Sequence, residues 1–336
     1  MLNLNVCLNY ALQSGATDVI LAEGFVPNVR IAGSLHAIPE TEKLSFGDLE
    51  SALGSLEGEC GAFIGGPWQN ANWRVRYSRE AFGKMATLRA VGADSPNLAA
   101  LEAPESVSNL IGASSGLILF TGPIASGKTT TASAYVSEVC NSRILRAAFL
   151  DPLPEYKIYS GESLVRKRRS NVPLTKDIVQ NLRAGTDLFW LGDVSLSESV
   201  LPMLCAAEMG SLVVATLNAD SAKSAITNLL SLEESSNREL ARNLLAANLK
   251  AVVSEHLILS ADKTSLVPAW EVLYNDTSVA PLIHAGEYFR IPQVMRAATS
   301  EGSLPLDDSL LQLVRGNRIS KADARVYAMD ETLFLD

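Results

Sequence analysis

The sequence predicts a two-domain α/β protein, and three observations carry the prediction. At 336 residues the chain exceeds what one hydrophobic core comfortably organises, since domains cluster at roughly 100–200 residues. The first 92 residues hold short apolar segments of strand length beside a helical stretch, whereas later residues alternate uninterrupted apolar runs with helical patterns. Between one such run and a helix lies the glycine-rich segment Gly122-Pro123-Ile124-Ala125-Ser126-Gly127-Lys128-Thr129.

Taken in order, residues 4–12 read as a short helix. Asp18-Val19-Ile20-Leu21 and Asn28-Val29-Arg30-Ile31 follow as short strands, and the turn Gly33-Ser34 makes a hairpin. Trp73-Arg74-Val75-Arg76-Tyr77 alternates as a strand, with Met85-Ala86-Thr87-Leu88-Arg89 as its neighbour. These segments form an α+β domain over residues 1–92. Residues 93–108 lie in a stretch rich in Ala, Asn, Ser and Pro and read as a linker. Over 109–260, the runs Leu117-Ile118-Leu119-Phe120, Leu145 to Leu150, Leu188-Phe189-Trp190-Leu191 and Leu212-Val213-Val214-Ala215 suit parallel strands covered on both faces by helices. The pattern from Arg238 to Leu259 is helical. Further helices around 289–298, 307–315 and 320–328 give a mainly helical extension over 261–336.

Hydrophobic residues make up 47% of the chain and charged ones 19%, which provides for a buried core and argues against disorder. A net charge of −9 opposes a polyanion, so nucleic acid is not expected as a partner. The densest basic run, Arg166-Lys167-Arg168-Arg169, reads as a solvated strand edge in preference to a binding patch. The start of the chain lacks a signal-peptide pattern, and no run of roughly 18 apolar residues occurs, so a cytoplasmic protein is expected. Cys7, Cys60, Cys140 and Cys205 form no C-x-x-C pair and read as reduced structural thiols.

The segment 122–129 satisfies G-x-x-x-x-G-K-[ST] in full. In a strand–loop–helix setting, its backbone N–H groups and the helix N-terminus, opening with Thr130, converge on phosphates. Lys128 would reach the β- and γ-phosphates of ATP, and the Thr129 hydroxyl would ligate Mg²⁺. Such a loop needs an acid on a second strand to hold the metal shell or polarise water. Asp193, just past Leu188 to Gly192, answers to that description, or else caps a helix over 195–204. Asp151 and Asn218 also stand at strand ends, as γ-phosphate or water contacts, or as a turn former and a loop cap.

Together these segments resemble the secretion-superfamily ATPases that drive type IV pili and type II secretion, most closely the pilus-retraction (PilT-like) branch. Gly15-Ala16-Thr17-Asp18 with Pro27, Arg30 and Gly33 looks like that family's opening signature, which implies a PAS-like first domain. Gly116 to Pro123 leads into the loop as the family does, Asp151-Pro152 falls where its aspartate box lies, and Gly192-Asp193 where its Walker B turn lies. Ala206 to Val213 and Ala215 to Asn218 match its histidine box and the helix before it. The second domain is then RecA-like. Assembly ATPases of the superfamily are generally longer and usually carry a four-cysteine zinc insertion, which this chain lacks.

The chain also departs from the family. Leu150 and Asp193 stand where glutamates are the rule, Asn218 stands where histidine is, and residues 279–286 lack the usual arginine and asparagine. The resemblance implies a hexameric motor using ATP and Mg²⁺, peripheral to the inner membrane through a platform protein and accompanied by a paralogous motor. Catalysis would fall to Asp193, Asp151 and Asn218, with Arg76 and Arg89 of the first domain approaching the phosphates. The departures allow a second reading, a nucleotide-binding regulatory subunit with weak or no hydrolysis.

Overall fold

Leu4, Cys7, Leu8 and Ala11 recur at the spacing of one helix face, and all four are buried in α1 (Leu4–Gln13), whose start is capped by the Asn3 side chain. The computed structural model describes residues 3–31, 33–57, 60–69, 71–91, 95–151, 156, 158–167, 172–195, 200–297 and 302–335. The chain divides into two units, Met1–Asp94 with Leu153–Lys157, and Ser95–Pro152 with Ile158–Asp336.

In the first unit α1 is followed by β1 (Asp18–Ala22), β2 (Asn28–Ile31), β3 (Ser34–Ala37), α2 (Asp48–Leu53), β4 (Cys60–Trp68), β5 (Ala71–Glu80) and β6 (Gly83–Val91). The strands form one antiparallel sheet in the order β3-β2-β1-β6-β5-β4. Alternate residues face the core: Val19, Leu21, Trp73, Val75, Ala86 and Leu88 are buried against Leu8 of α1 and Leu49 of α2. The strands expected around 18–21, 28–31, 73–77 and 85–89 are present. β4 was not expected, because Cys60 to Trp68 includes Gly61, Gly65, Gly66 and Pro67 and so carries a weak strand pattern.

The second unit opens with one turn, α3 (Glu105–Ser108), then β7 (Gly116–Gly122), α4 (Lys128–Ser142), β8 (Arg146–Phe149), β9 (Leu164–Lys167), α5 (Leu174–Arg183), β10 (Leu188–Asp193), α6 (Val200–Glu208) and β11 (Leu212–Asn218). It continues with α7 (Ala222–Ser231), α8 (Arg238–Asn248), β12 (Leu249–Leu259), β13 (Leu266–Tyr274), α9 (Ala280–Ala285), α10 (Ile291–Arg296), α11 (Leu306–Arg315) and α12 (Lys321–Tyr327). The sheet runs β13-β12-β7-β11-β10-β8-β9. Strands β12, β7, β11, β10, β8 and β9 are mutually parallel, and β13 alone is antiparallel to its neighbour. Apolar layers cover both faces, one built around Leu119, Phe189 and Val213, the other around Phe120, Tyr135 and Trp190. Double coverage explains why these strands read as unbroken apolar runs.

The same coverage hid a strand. The helix expected over Arg238 to Leu259 ends at Asn248, and Leu249–Leu259 is β12. Ten of its eleven residues are buried or partly so without period-two alternation, and no glycine or proline marks the junction. β13 likewise adds a strand inside the stretch expected to be mainly helical. Of the segment expected to be a linker, Leu98 and Val107 are buried in the second unit's core. β9 is the edge strand of that sheet, and Arg166 pairs there with Asp177 and Asn181 of α5. Arg168, Arg169 and Pro152 lie outside the described residues.

Candidate phosphate-binding site

The parallel strands bring four chain segments to one edge. Loop 122–129 leaves the end of β7, Asn218 ends β11 as the partner of Gly122, Asp193 ends β10, and Asp151 follows β8. The carboxyl edge of such a sheet is where α/β folds place ligands.

The loop itself is a tight cradle. Lys128 is 9% exposed, and its Nζ donates to the Pro123 carbonyl at 3.0 Å. Gly127 adopts φ +97 at the N-cap of α4 and supplies no side-chain cap, so the helix N-terminus stays available to an anion. Among the described residues, Ser126 Oγ is buried with no hydrogen-bond partner. An orphaned hydroxyl, a buried ammonium and an uncapped helix end are the donor set that a phosphate satisfies. Thr129 and Thr130 occupy the first turn of α4. Ile124 and Ala125, at the tip, are exposed.

A bulge aims the second-strand acid. Trp190 pairs with Val214, but Asp193 pairs with Thr216, so one residue of β10 is extra. In regular register Asp193 would pair with Leu217 and face the other side of the sheet. The bulge turns it to the side of Thr216, hence of Asn218. Gly192 makes this possible: it has φ +70, and a Cβ there would stand 2.7 Å from the Asp151 carboxyl carbon. Asp151 is thus packed against the backbone just before Asp193.

Asp193 Oδ1 accepts from Ser195 N at 2.9 Å and from Ser195 Oγ at 2.5 Å. Asn218 Nδ2 donates to Ser195 Oγ at 2.9 Å and reaches Asp193 Oδ2 at 3.4 Å, while Asn218 N donates to Ser195 Oγ at 3.0 Å. Ser195 therefore joins the two predicted residues. It escaped the sequence reading, although Asp-x-Ser after a strand is the signature of a side-chain-closed turn. That turn, with Ser195 non-helical, also replaces the helix start expected at Ser195. α6 begins at Val200, and residues 196–199 lie outside the described residues. Asp193 is exposed, and among the described residues its Oδ2 has one long contact, which leaves it lone pairs for a cation.

Leu150 is fully buried in the apolar layer with Phe189 and Leu191 and donates its N–H to the Trp190 carbonyl. The arginines belong to the first unit. Arg89 makes a two-pronged contact to the buried Asp18, with Nε to Oδ1 at 2.8 Å and Nη2 to Oδ2 at 3.0 Å. Arg76, on the outward face of β5, is exposed.

One further group borders the loop. Glu255, on β12, lies 4% exposed behind it and accepts from Thr131 Oγ1 at 2.7 Å. Burial pushes its carboxyl up to about 7, against the Thr131 bond and the Lys128 charge, which lower it. Sequence reading missed it because it lies in the strand taken for a helix.

The family described as "Type II/IV secretion system protein" matches residues 70–285, more than half of the chain. A twitching motility protein of Neisseria gonorrhoeae is 28% identical over 77% of this chain and 70% of its own length. The type IV pilus ATPase PilU of Pseudomonas aeruginosa is 26% identical over 96% and 87%. A solved structure of the pilus retraction motor PilT with bound ADP superposes with a TM-score of 0.82 at 23% identity, covering 99% of each chain.

Proposed function

We propose, from the premise that the chain belongs to the type II/IV secretion system protein family, that it is an ATP-driven motor of a type IV pilus, acting in retraction. The observation that carries this reading is the meeting of loop 122–129, Asp193 and Asn218 at the carboxyl ends of neighbouring strands. The names of similar proteins, a twitching motility protein and a pilus ATPase, support the pilus assignment.

In this reading the first unit is a PAS-like domain and the second a RecA-like core. Lys128, Ser126 Oγ and the N–H groups opening α4 hold the β- and γ-phosphates. Thr129 and Asp193 hold the metal, which when bound neutralises charge between those phosphates. Asp193 orients the attacking water, Asn218 and Ser195 fix the Asp193 rotamer, and Asp151 backs the Gly192 turn. Six copies form a ring, Arg76 serves a neighbouring copy's phosphates, and an inner-membrane platform protein receives the force.

A second reading has its own observation. Both Asp193 oxygens meet donors, Ser195 and Asn218, and lone pairs engaged in this way are not open to an attacking water. Slow hydrolysis, as in a regulatory subunit beside an active motor, follows from that. Steady-state ATP turnover of the purified oligomer separates the two. A motor turns over well above the Lys128→Ala background; ATP binding without such turnover leaves the regulatory reading. Lys128→Ala itself is expected to abolish tight ATP binding, and unchanged affinity by calorimetry would remove the site assignment.

A further inference from the structure

Glu255 follows Ser254, the residue of β12 paired with Thr121 at the end of β7. Side chains alternate along a strand, so Ser254 and Glu255 face opposite ways. Ser254 meets Thr121 Oγ1 at 2.5 Å, whereas Glu255 turns toward α4 and accepts from Thr131. Its Oε1 would stand 2.4 Å from a Cβ at Gly127, so the carboxylate lies against the backbone where loop becomes helix. Lys128, the next residue, is the cation that its charge feels.

The charge balance of this arrangement changes with occupancy. In an empty loop, Lys128 and the positive end of α4 favour the anion and partly offset the burial that raises this carboxyl, so it is mostly ionised once the pH exceeds about 7. Phosphates placed on that same helix end bring negative charge next to it and draw the Lys128 ammonium away, and both changes favour the protonated acid. We propose that Glu255 is a positioning residue of the phosphate loop, which carries charge while the loop is empty and takes up a proton when the phosphates of a nucleotide bind. Nucleotide affinity is then linked to pH. The inference rests on reading this loop as a nucleotide site.

The surroundings restrict the effect to this one carboxyl. Among the described residues, α4 presents Lys128 and Thr131 to it, and β13 sets Trp270 opposite it in register. His256, the next residue of β12, turns away and meets the Asp220 carbonyl at 2.9 Å. Glu271 of β13 pairs in register with Ser254, on the opposite face. Burial already holds the carboxyl at about 7, so a further rise on binding falls where solvent protons are exchanged at neutral pH.

The test is calorimetric titration of the full chain with ADP and with Mg²⁺–ATP, at pH 7.5 to 8.5, in buffers of differing ionisation enthalpy. The wild type is expected to take up a large fraction of a proton per nucleotide, and its affinity to fall by up to about tenfold per pH unit. Glu255→Gln, which keeps shape and the acceptor for Thr131, is expected to bind with no uptake and an affinity flat within about twofold across that range. Thr131→Val removes the bond that lowers the carboxyl, so its uptake should persist to higher pH. Nucleotide binding without proton uptake in the wild type, or equal uptake in Glu255→Gln, overturns the proposal. If the wild type binds no nucleotide in any buffer, the nucleotide-site reading itself falls and takes the proposal with it.

Discussion

The Ser195 hydroxyl donates to Asp193 and accepts from Asn218, so one small side chain couples the ends of β10 and β11. Asp193 and Asn218 were legible as strand-end polar residues, and so was the strand–loop–helix arrangement around 122–129, because each is a local pattern. Ser195 and Glu255 were not, since their roles arise from contacts across 23 positions to Asn218 and 124 positions to Thr131. If Ser195 fixes the Asp193 rotamer, Ser195→Ala should cut turnover roughly ten- to a hundredfold, the scale of a small misplacement, while nucleotide affinity stays nearly constant. Loss of affinity in parallel with turnover would argue for a collapsed turn instead. Leu150 teaches the converse. Its side chain is fully buried between strands and helix, so Leu150→Glu would not restore a working family carboxylate. It should destabilise the fold at neutral pH by on the order of 3 kcal/mol or more, because it buries an unpaired charge. A variant that melts like the wild type and hydrolyses faster would show that the position opens to the site.

Among the elements, the strands and helices with a clear period were legible and those without one were not. β10 and β11 read correctly as buried runs, whereas β12 continues α8 without a breaker and is covered on both faces. What β12 and β13 then do is tie the loop to the rest of the sheet through buried polar groups. Thr121 meets Ser254, and Glu271, on β13 opposite Ser254, accepts the Ala222 N–H at the start of α7 at 2.6 Å. Burial pushes the Glu271 carboxyl up to about 7, with the Asp307 charge adding to the rise. The folded chain keeps this proton to about pH 7, while the unfolded chain releases it near 4.5. Between those values the native state binds more protons, so stability falls as pH rises, by up to about 1.4 kcal/mol per pH unit from this group. The contribution is complete below 4.5 and lost above 7. Glu271→Gln, which keeps the acceptor for Ala222, should match the wild type in melting temperature at pH 5 and exceed it at pH 8. The pH slope that remains in the variant combines Glu255, whose raised carboxyl acts with the same sign, and His256, which burial lowers and which therefore acts with the opposite sign. Identical melting curves at both pH values would mean that Glu271 does not titrate in this window.

At the scale of the whole molecule, the proposed motor raises the question of where the charge to stabilise phosphoryl transfer would come from. In the second unit, Arg143 follows α4, Arg146 opens β8 and Arg183 ends α5. Topology therefore sets all three at the amino edge of the sheet, away from the loop. Arg89 is held by Asp18, which leaves exposed Arg76 as the better-placed arginine of the two expected to reach phosphates. If copies associate head to tail, each loop receives an arginine from its neighbour, and a heterologous contact of this kind makes a ring where its rotation closes. The mass of the chain by light scattering should then be that of a hexamer, favoured by nucleotide. Mixing gives the sharper test. Arg76→Ala retains its loop but offers no arginine, and Lys128→Ala retains its arginine but has no working loop, so each alone should be nearly inactive. Mixed in equal amounts and allowed to exchange, half of the oligomer's loops are intact and half of those adjoin an intact arginine, so about a quarter of wild-type turnover should return. An arginine acting within its own chain predicts no recovery on mixing, and that result, obtained with proven subunit exchange, would remove Arg76 from the neighbour's site.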